Sequence, residues 1–384
     1  MPTLNQSLLR RDGYVIVRNV IPADRLDEVR EACECVLDRQ REIWRQEAGP
    51  DDLPGGVWDM RPQPRVPEFH ALVDDETALA VEIWLSEPVM SISRELLSGP
   101  EAVPMHMMMM CNPRTDHGPA KWHRDIGPLE VAPLWLLQEE LAETGPRYLQ
   151  WNLPLYDDDV LWVVPGSHRR LNTPDEDRRL KDDPQSPLPG GMPVELKAGD
   201  GLIYLHSMLH WGSNYSPKLR RTVHGGMAVH AMPRDTGFTR HLSPSSAAAF
   251  QTWNRRAAEQ RDLTAQALRG VLDGDAPGFE AALERLHPGA GPAAKLTLTA
   301  CLAEAARHIH LLKQPGFDDL PEAMQRQATH LHPLTLGWGP AFADRFSDAE
   351  ADELWRRFDW LAQRLHADPP QRVTLDQFAA SWGT

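Results

Sequence analysis

The chain has 384 residues, 41% of them hydrophobic, which is enough for a full core in one large domain or two ordinary ones. Acidic residues outnumber basic ones, 55 against 40, for a net charge of −15, which argues against nucleic acid or an anionic membrane as the main partner. The four cysteines (Cys33, Cys35, Cys111 and Cys301) show no zinc-type spacing, no signal-peptide or membrane-length apolar run is evident, and the expectation is a cytoplasmic protein with reduced thiols.

In chain order, Gly13–Val20 is rich in β-branched residues and predicts a strand. Pro22 then opens a helix whose apolar stripe is Leu26, Val29, Cys33, Val36 and Leu37. Residues 48–68, rich in Pro, Gly and Asp, read as a long loop in which Trp58 is either a lid anchor or an indole tucked onto the surface. Helical patterning covers 76–98. The apolar run Met105–Cys111, ended by Asn112-Pro113, predicts a strand buried on both faces, with the methionines Met107–Met110 as core.

In Lys121-Trp122-His123-Arg124-Asp125, alternation along an extended segment puts His123 and Asp125 on one face and Arg124 on the other. An imidazole and a carboxylate on one face can hold a divalent transition metal if a third ligand comes from a distant strand, and His210 is the best candidate. Two histidines and one carboxylate form the facial triad of non-haem Fe(II) oxygenases. Further strand signals follow at 149–153, 160–164, 194–196, 202–206 and 220–232, divided by Gly/Pro/Asp turns and a polar segment at 169–192. The pattern suggests an all-β sandwich or barrel of jelly-roll type. Past about 243 the signals are helical, including a capping box at Ser347–Glu350 ahead of the stripe Leu354, Phe358, Leu361 and Leu365.

Five pieces, in order, give the chain a family resemblance. Arg11-Asp12-Gly13-Tyr14, Trp122-His123-Arg124-Asp125, Pro165-Gly166-Ser167-His168, Gly199-Asp200-Gly201 followed by His206 and His210, and Asn214-Tyr215-Ser216 with Arg220-Arg221 resemble the motifs of the phytanoyl-CoA dioxygenase family of Fe(II)/2-oxoglutarate oxygenases. The resemblance covers roughly residues 8–232. It implies a double-stranded β-helix (jelly roll, cupin-like) flanked by helices over 1–242; the α-helical extension over 243–384, read from its own patterning, has no counterpart in the resemblance and its role is unknown.

It also implies Fe(II), 2-oxoglutarate and O2 as cofactor and cosubstrates, with His123, Asp125 and His210 as catalytic metal ligands. The family spacing selects His210 over His206. The distal carboxylate of 2-oxoglutarate needs a fixed cation. The loop after His210 is one residue shorter than usual, so Arg220 and Arg221 both qualify, and strand alternation favours Arg220 paired with Thr222. Gln150 and Asn152 share a strand face and either donate to the same cosubstrate or serve the structure.

Related halogenases carry Gly or Ala where Asp125 stands, so the implied outcome is hydroxylation of a small organic molecule with release of succinate and CO2. Desaturation, cyclisation or epimerisation by the same chemistry, and a non-catalytic metal- or ligand-binding β-barrel, are the alternatives. Trp58, Arg61, Trp135, Arg147, Tyr148 and Trp211 are candidate substrate contacts, Arg124 is expected in a salt bridge, and the C-terminal helices are candidates either for capping the active site or for building a homodimer.

Overall fold

The computed structural model describes residues 6–99, 101–126, 132–212, 218–231, 235–321, 324–325 and 340–383. They form a mixed fold of antiparallel sheet and many helices. Nine strands are described: β1 (Tyr14–Val17), β2 (Arg65–Val66), β3 (Val103–Cys111), β4 (Tyr148–Pro154), β5 (Trp162–Val163), β6 (Met192–Pro193), β7 (Gly201–Tyr204), β8 (His210–Trp211) and β9 (Arg221–Ala228). One sheet has the order β1-β7-β4-β9-β3-β2 and a second has β6-β5-β8, with every pairing antiparallel.

The larger sheet has two unlike faces. Leu149, Trp151 and Leu153 of β4, Val223 and Met227 of β9, and Met107 and Met109 of β3 are buried on one of them. Trp151 is fully buried there, and its indole donates to Ser93 Oγ (3.1 Å) on the helix Glu87–Leu96. The other face is mixed in character. Register aligns Tyr204, Gln150 and Gly226 in one row, Leu202, Asn152, His224 and Met108 in the next, and Pro154, Thr222, Met110 and Arg65 in a third. The methionine strand is therefore not buried on both faces alike. Met107 and Met109 are core, whereas Met108 and Met110 are half-buried on the polar face.

A pair of glycines fits β9 between close neighbours. A Cβ on Gly225 would lie 1.9 Å from the His106 carbonyl oxygen, and one on Gly226 would lie 2.2 Å from the Tyr148 ring.

Several elements differ from the sequence expectation. The strand expected over Gly13–Val20 is limited to Tyr14–Val17. The segment 169–192 holds the helix Pro174–Asp182, opened by a capping box in which Thr173 Oγ1 accepts from the Glu176 N–H (3.2 Å) and Glu176 accepts from the Thr173 N–H (2.8 Å). The helix Leu134–Thr144 was not foreseen from its sequence. Trp58, in the long loop, packs against neighbouring side chains. It stacks on Trp44 (6.3 Å) and lies beneath the guanidinium groups of Arg41 (4.8 Å) and Arg221 (5.7 Å).

The chain divides into two compact units, 1–125 with 146–229 and 234–253, and 126–145 with 230–233 and 254–384. In this division the first unit runs to residue 253, within the helix Pro244–Asp273. The helix Leu134–Thr144 joins the second because Ala132 and Leu136 pack into its apolar core, beside Phe279, Phe346, Phe358 and Phe378. There the expected capping box is present, with Ser347 and Glu350 bonded reciprocally (2.7 and 3.3 Å) ahead of buried Leu354, Phe358, Leu361 and Leu365. No disulfide joins the described cysteines, and no helix among the described residues is long and apolar enough to cross a membrane.

Candidate metal centre

His123 and His210 form an isolated antiparallel bridge, each N–H donating to the other's carbonyl oxygen at 3.0 Å. Two residues on, the Asp125 N–H donates to the His206 carbonyl oxygen (2.8 Å), so extended backbone sets His123 and Asp125 toward one point. One ligand atom from each of His123, Asp125 and His210 lies within 4.8 Å of the other two. Among the described residues no other trio of His, Cys, Asp or Glu does this.

The tautomers are set from behind. His123 Nδ1 lies 2.7 Å from the Lys121 carbonyl oxygen, and His210 Nδ1 lies 2.9 Å from that of Met208. A carbonyl only accepts, so each Nδ1 carries a proton, and Nε2 is the nitrogen left to face Asp125 or, once its own proton is displaced, a metal. Those Nε2 atoms lie 3.3 and 3.1 Å from the Asp125 carboxylate. Gln150 Nε2 donates to Asp125 Oδ2 at 2.7 Å. Burial opposes ionisation of Asp125, but His210 and His123 outweigh it and hold the carboxyl far below the usual carboxylate range. Burial also pulls on His123, yet its bond to Asp125 wins and raises its pKa.

A buried cation lies farther along the larger-sheet face that carries Gln150. Arg220 is 5% exposed, and its Nε donates to Asp158 Oδ2 at 2.9 Å. Thr222 Oγ1 donates to the same oxygen at 2.7 Å, while Arg220 Nη1 is buried without a partner. Arg221 points the other way, to Glu34 (2.7 Å), Asn112 Oδ1 (3.0 Å) and the Trp58 ring. The structure thus brings together His123, Asp125, His210, Gln150, Asn152, Arg220 and Thr222, with Gln150 spent on Asp125 and the Thr222 hydroxyl on Asp158.

Other sequence candidates fall elsewhere. Arg124 does turn away from the trio, but what holds it is oxygen acceptors without charge: the Ser167 carbonyl (2.9 Å), the Ser207 carbonyl and Asn172 Oδ1 (2.7 Å). His206 is packed edge-on to Tyr148 (5.6 Å). His168 is buried against the Arg10 carbonyl oxygen (3.1 Å). Trp211 stacks on Trp122 (4.7 Å). Trp135 lies in the helical unit, its indole donating to the Leu365 carbonyl oxygen (3.3 Å). The Asn214-Tyr215-Ser216 motif lies outside the described residues.

Sequence reasoning passed over three side chains here: Asp158, His224 and Arg65. Asp158 sits in an acidic run that resembles a surface turn. His224 follows Thr222 at the same-face interval and bonds Asn152 Oδ1 at 2.6 Å. Arg65 was lost in the loop, although β2 pairs it with Met110 in the row of Thr222. Although the residue keeps an exposed surface, partial desolvation lowers its pKa, Asp125 opposes that and Arg220 adds to it, so it shares the electrostatics of the site.

The residues present fit an iron with 2-oxoglutarate. The donor set is two imidazole nitrogens and a carboxylate, and Arg220 Nη1 and Gln150 Oε1 are buried polar atoms lacking partners.

No curated protein matches the sequence. Among solved structures the chain is similar to AviO1 from Streptomyces viridochromogenes Tue57, at 21% identity over 61% of this chain and 99% of that one, with a TM-score of 0.42. It is similar also to the non-heme alpha ketoglutarate dependent carbocyclase SnoK from nogalamycin biosynthesis (22% identity, 64% of this chain and 94% of that one, TM-score 0.40). A third is EctD from S. alaskensis with bound Fe (19% identity, 58% and 75%, TM-score 0.40). The model of the phytanoyl-CoA dioxygenase (PhyH) family matches residues 9–222. That match spans more than half of the sequence, and the chain belongs to the phytanoyl-CoA dioxygenase family.

Proposed function

We propose that this protein hydroxylates an unactivated C–H bond of a small organic molecule, converting 2-oxoglutarate to succinate and CO2. As a member of its family it is an Fe(II)/2-oxoglutarate-dependent enzyme that uses O2. In this reading the two sheets are the halves of a double-stranded β-helix. His123, Asp125 and His210 hold the iron, and Arg220 takes the distal carboxylate of 2-oxoglutarate. The observation that carries the reading is the trio of ligand atoms within 4.8 Å, joined through Gln150 to the face of the larger sheet along which a buried guanidinium has an unpartnered nitrogen.

When bound, the iron supplies the activation of O2 coupled to decarboxylation of the cosubstrate. The protein's own share is orientation and charge. The Lys121 and Met208 carbonyls keep both imidazoles in the ligating tautomer, and Gln150 aims the Asp125 carboxylate. Asp158 fixes one edge of Arg220, so a carboxylate meets its other edge. Arg65 adds a second positive charge beside the first. Asp125 supplies a third protein ligand where the related halogenases have none, and this favours hydroxylation. Desaturation, ring closure and epimerisation would use the same residues, and product mass separates them, because only hydroxylation adds one oxygen.

The test is anaerobic. Fe(II) and then 2-oxoglutarate are added to metal-free protein and the visible absorption of the chelate is followed. The band is expected in wild type, lost with Asp125→Ala and weakened in its 2-oxoglutarate dependence with Arg220→Ala. Iron binding without a band would defeat the reading in favour of a metal-binding barrel.

A further inference from the structure

Along β4 and β9 the paired rungs on the polar face are Gln150–Gly226, Asn152–His224 and Pro154–Thr222. Gln150 reaches Asp125 at one end, and Thr222 shares Asp158 with Arg220 at the other. Successive same-face rungs are about 7 Å apart. A molecule that bridges the His123–Asp125–His210 trio and Arg220 therefore passes over the middle rung.

On that rung His224 Nδ1 lies 2.6 Å from Asn152 Oδ1. An amide oxygen only accepts, so the imidazole carries its proton on Nδ1. With its oxygen toward His224, the Asn152 amide turns its NH2 group away from that ring. No hydrogen bond among the described residues engages that NH2 group. His224 is 7% exposed. Burial pushes its pKa down to about 3 despite Asp125, with Arg65, Arg220 and His106 acting in the same direction as burial. The ring is therefore neutral, and it lies among the charges of the site.

We propose that His224 is a positioning residue that locks Asn152 with its amide N–H groups directed at the cosubstrate, and that it thereby sets the affinity for 2-oxoglutarate. This rests on the reading of the site as one for iron and 2-oxoglutarate. His224 does not touch the cosubstrate in this scheme, and its effect passes through Asn152.

The test uses the full chain loaded anaerobically with Fe(II), with 2-oxoglutarate titrated against the chelate absorption. His224→Leu and Asn152→Ala are each expected to raise Kd about tenfold, the lower end of what outer partners of a site contribute. The double variant should lose no more than either single one, because both changes remove the same contact. His224→Asn places an amide N–H near the position of Nδ1 and is expected to return Kd to within about threefold of wild type. His224→Gln, which places its N–H farther out, is not. If His224→Leu fails to fold, the Asn and Gln variants decide, and equal affinities in the two overturn the proposal. An unchanged Kd in His224→Leu, or a double loss equal to the product of the single ones, overturns it too. A normal wild-type band beside an unaffected His224→Leu removes this inference alone. A wild type that binds iron but gives no band removes the cosubstrate reading and this inference together.

Discussion

Replacing Asp158 by Asn would strand a charge in the interior. Arg220 and Asp158 are 5% and 6% exposed, and their Nε–Oδ2 contact is 2.9 Å. The same oxygen takes the Thr222 hydroxyl, and Oδ1 takes the Val160 N–H at 3.0 Å. Arginine cannot shed its proton, so the guanidinium would keep its desolvation cost without its counter-charge. Breaking one side of a buried pair costs about 3–5 kcal/mol, and Asn retains an acceptor, so about 3 kcal/mol is expected.

Urea unfolding of wild type and variant at pH 7.5 reads this directly. With a slope of about 3 kcal/mol/M the midpoint should fall by about 1 M. Adding Arg220→Gln should recover part of the loss, because the stranded charge is then gone. Burial raises the pKa of Asp158, but Arg220 and the hydrogen bonds outweigh it, and the net shift is downward. Its stabilisation is therefore present above the unfolded-state pKa of about 4 and fades as the pH falls below that, so the difference between wild type and variant should shrink there. A single variant within about 0.5 kcal/mol of wild type, a size typical of surface changes, would refute the reasoning. So would a double variant that loses the sum of both single effects.

Gln150→Ala removes the 2.7 Å donor to Asp125 and should weaken Fe(II) binding about tenfold in an anaerobic titration, with the protein's melting temperature as the control for folding. Gly226→Ala drives a Cβ to 2.2 Å from the Tyr148 ring and should cost about 1–3 kcal/mol in urea unfolding, recovered in part by Tyr148→Ala. His168 is held neutral by burial, its pKa pushed down to about 4 against an ordinary 6.5. The unfolded chain binds its proton first, so stability is intact above pH 6.5 and falls by about 1.4 kcal/mol per pH unit on acidification toward pH 4. A His168→Gln variant should show a stability–pH curve shallower by that amount, and parallel curves would contradict the assignment.

Much of this site was legible because the rules that fix it are local. His123 and Asp125 share a face by alternation, and so do Arg220 and Thr222, while Arg221 goes to Glu34 and Trp58 on the far side. The Ser347 capping box and its stripe were equally readable. Thr173-Pro174-Asp175-Glu176 carried the same kind of signal inside a segment whose Pro and Asp content suggested a loop. Composition outweighed the cap there, and the helix was missed. Arg65 was hidden for a different reason. A two-residue strand has no periodicity, and only its pairing with Met110 aligns it with Thr222.

What the sequence could not supply is how the polar side chains divide among themselves. Gln150 and Asn152 stand two apart on one strand and look interchangeable as donors to a cosubstrate. The fold gives them different partners. Gln150 meets Asp125, whose backbone is hydrogen-bonded to His206, and Asn152 meets His224 across the ladder. Thr222, two residues from Arg220, gives its single proton to Asp158, which is carried by an isolated bridge to Leu196. A hydroxyl donates only once, so Thr222, its proton given to Asp158, has none left for a bound carboxylate. A sequence motif can name the residues on a face. Which acceptor each donor serves depends on neighbours tens of residues away, and in this protein those pairings separate the side chains that would meet a ligand from the ones that hold them in place.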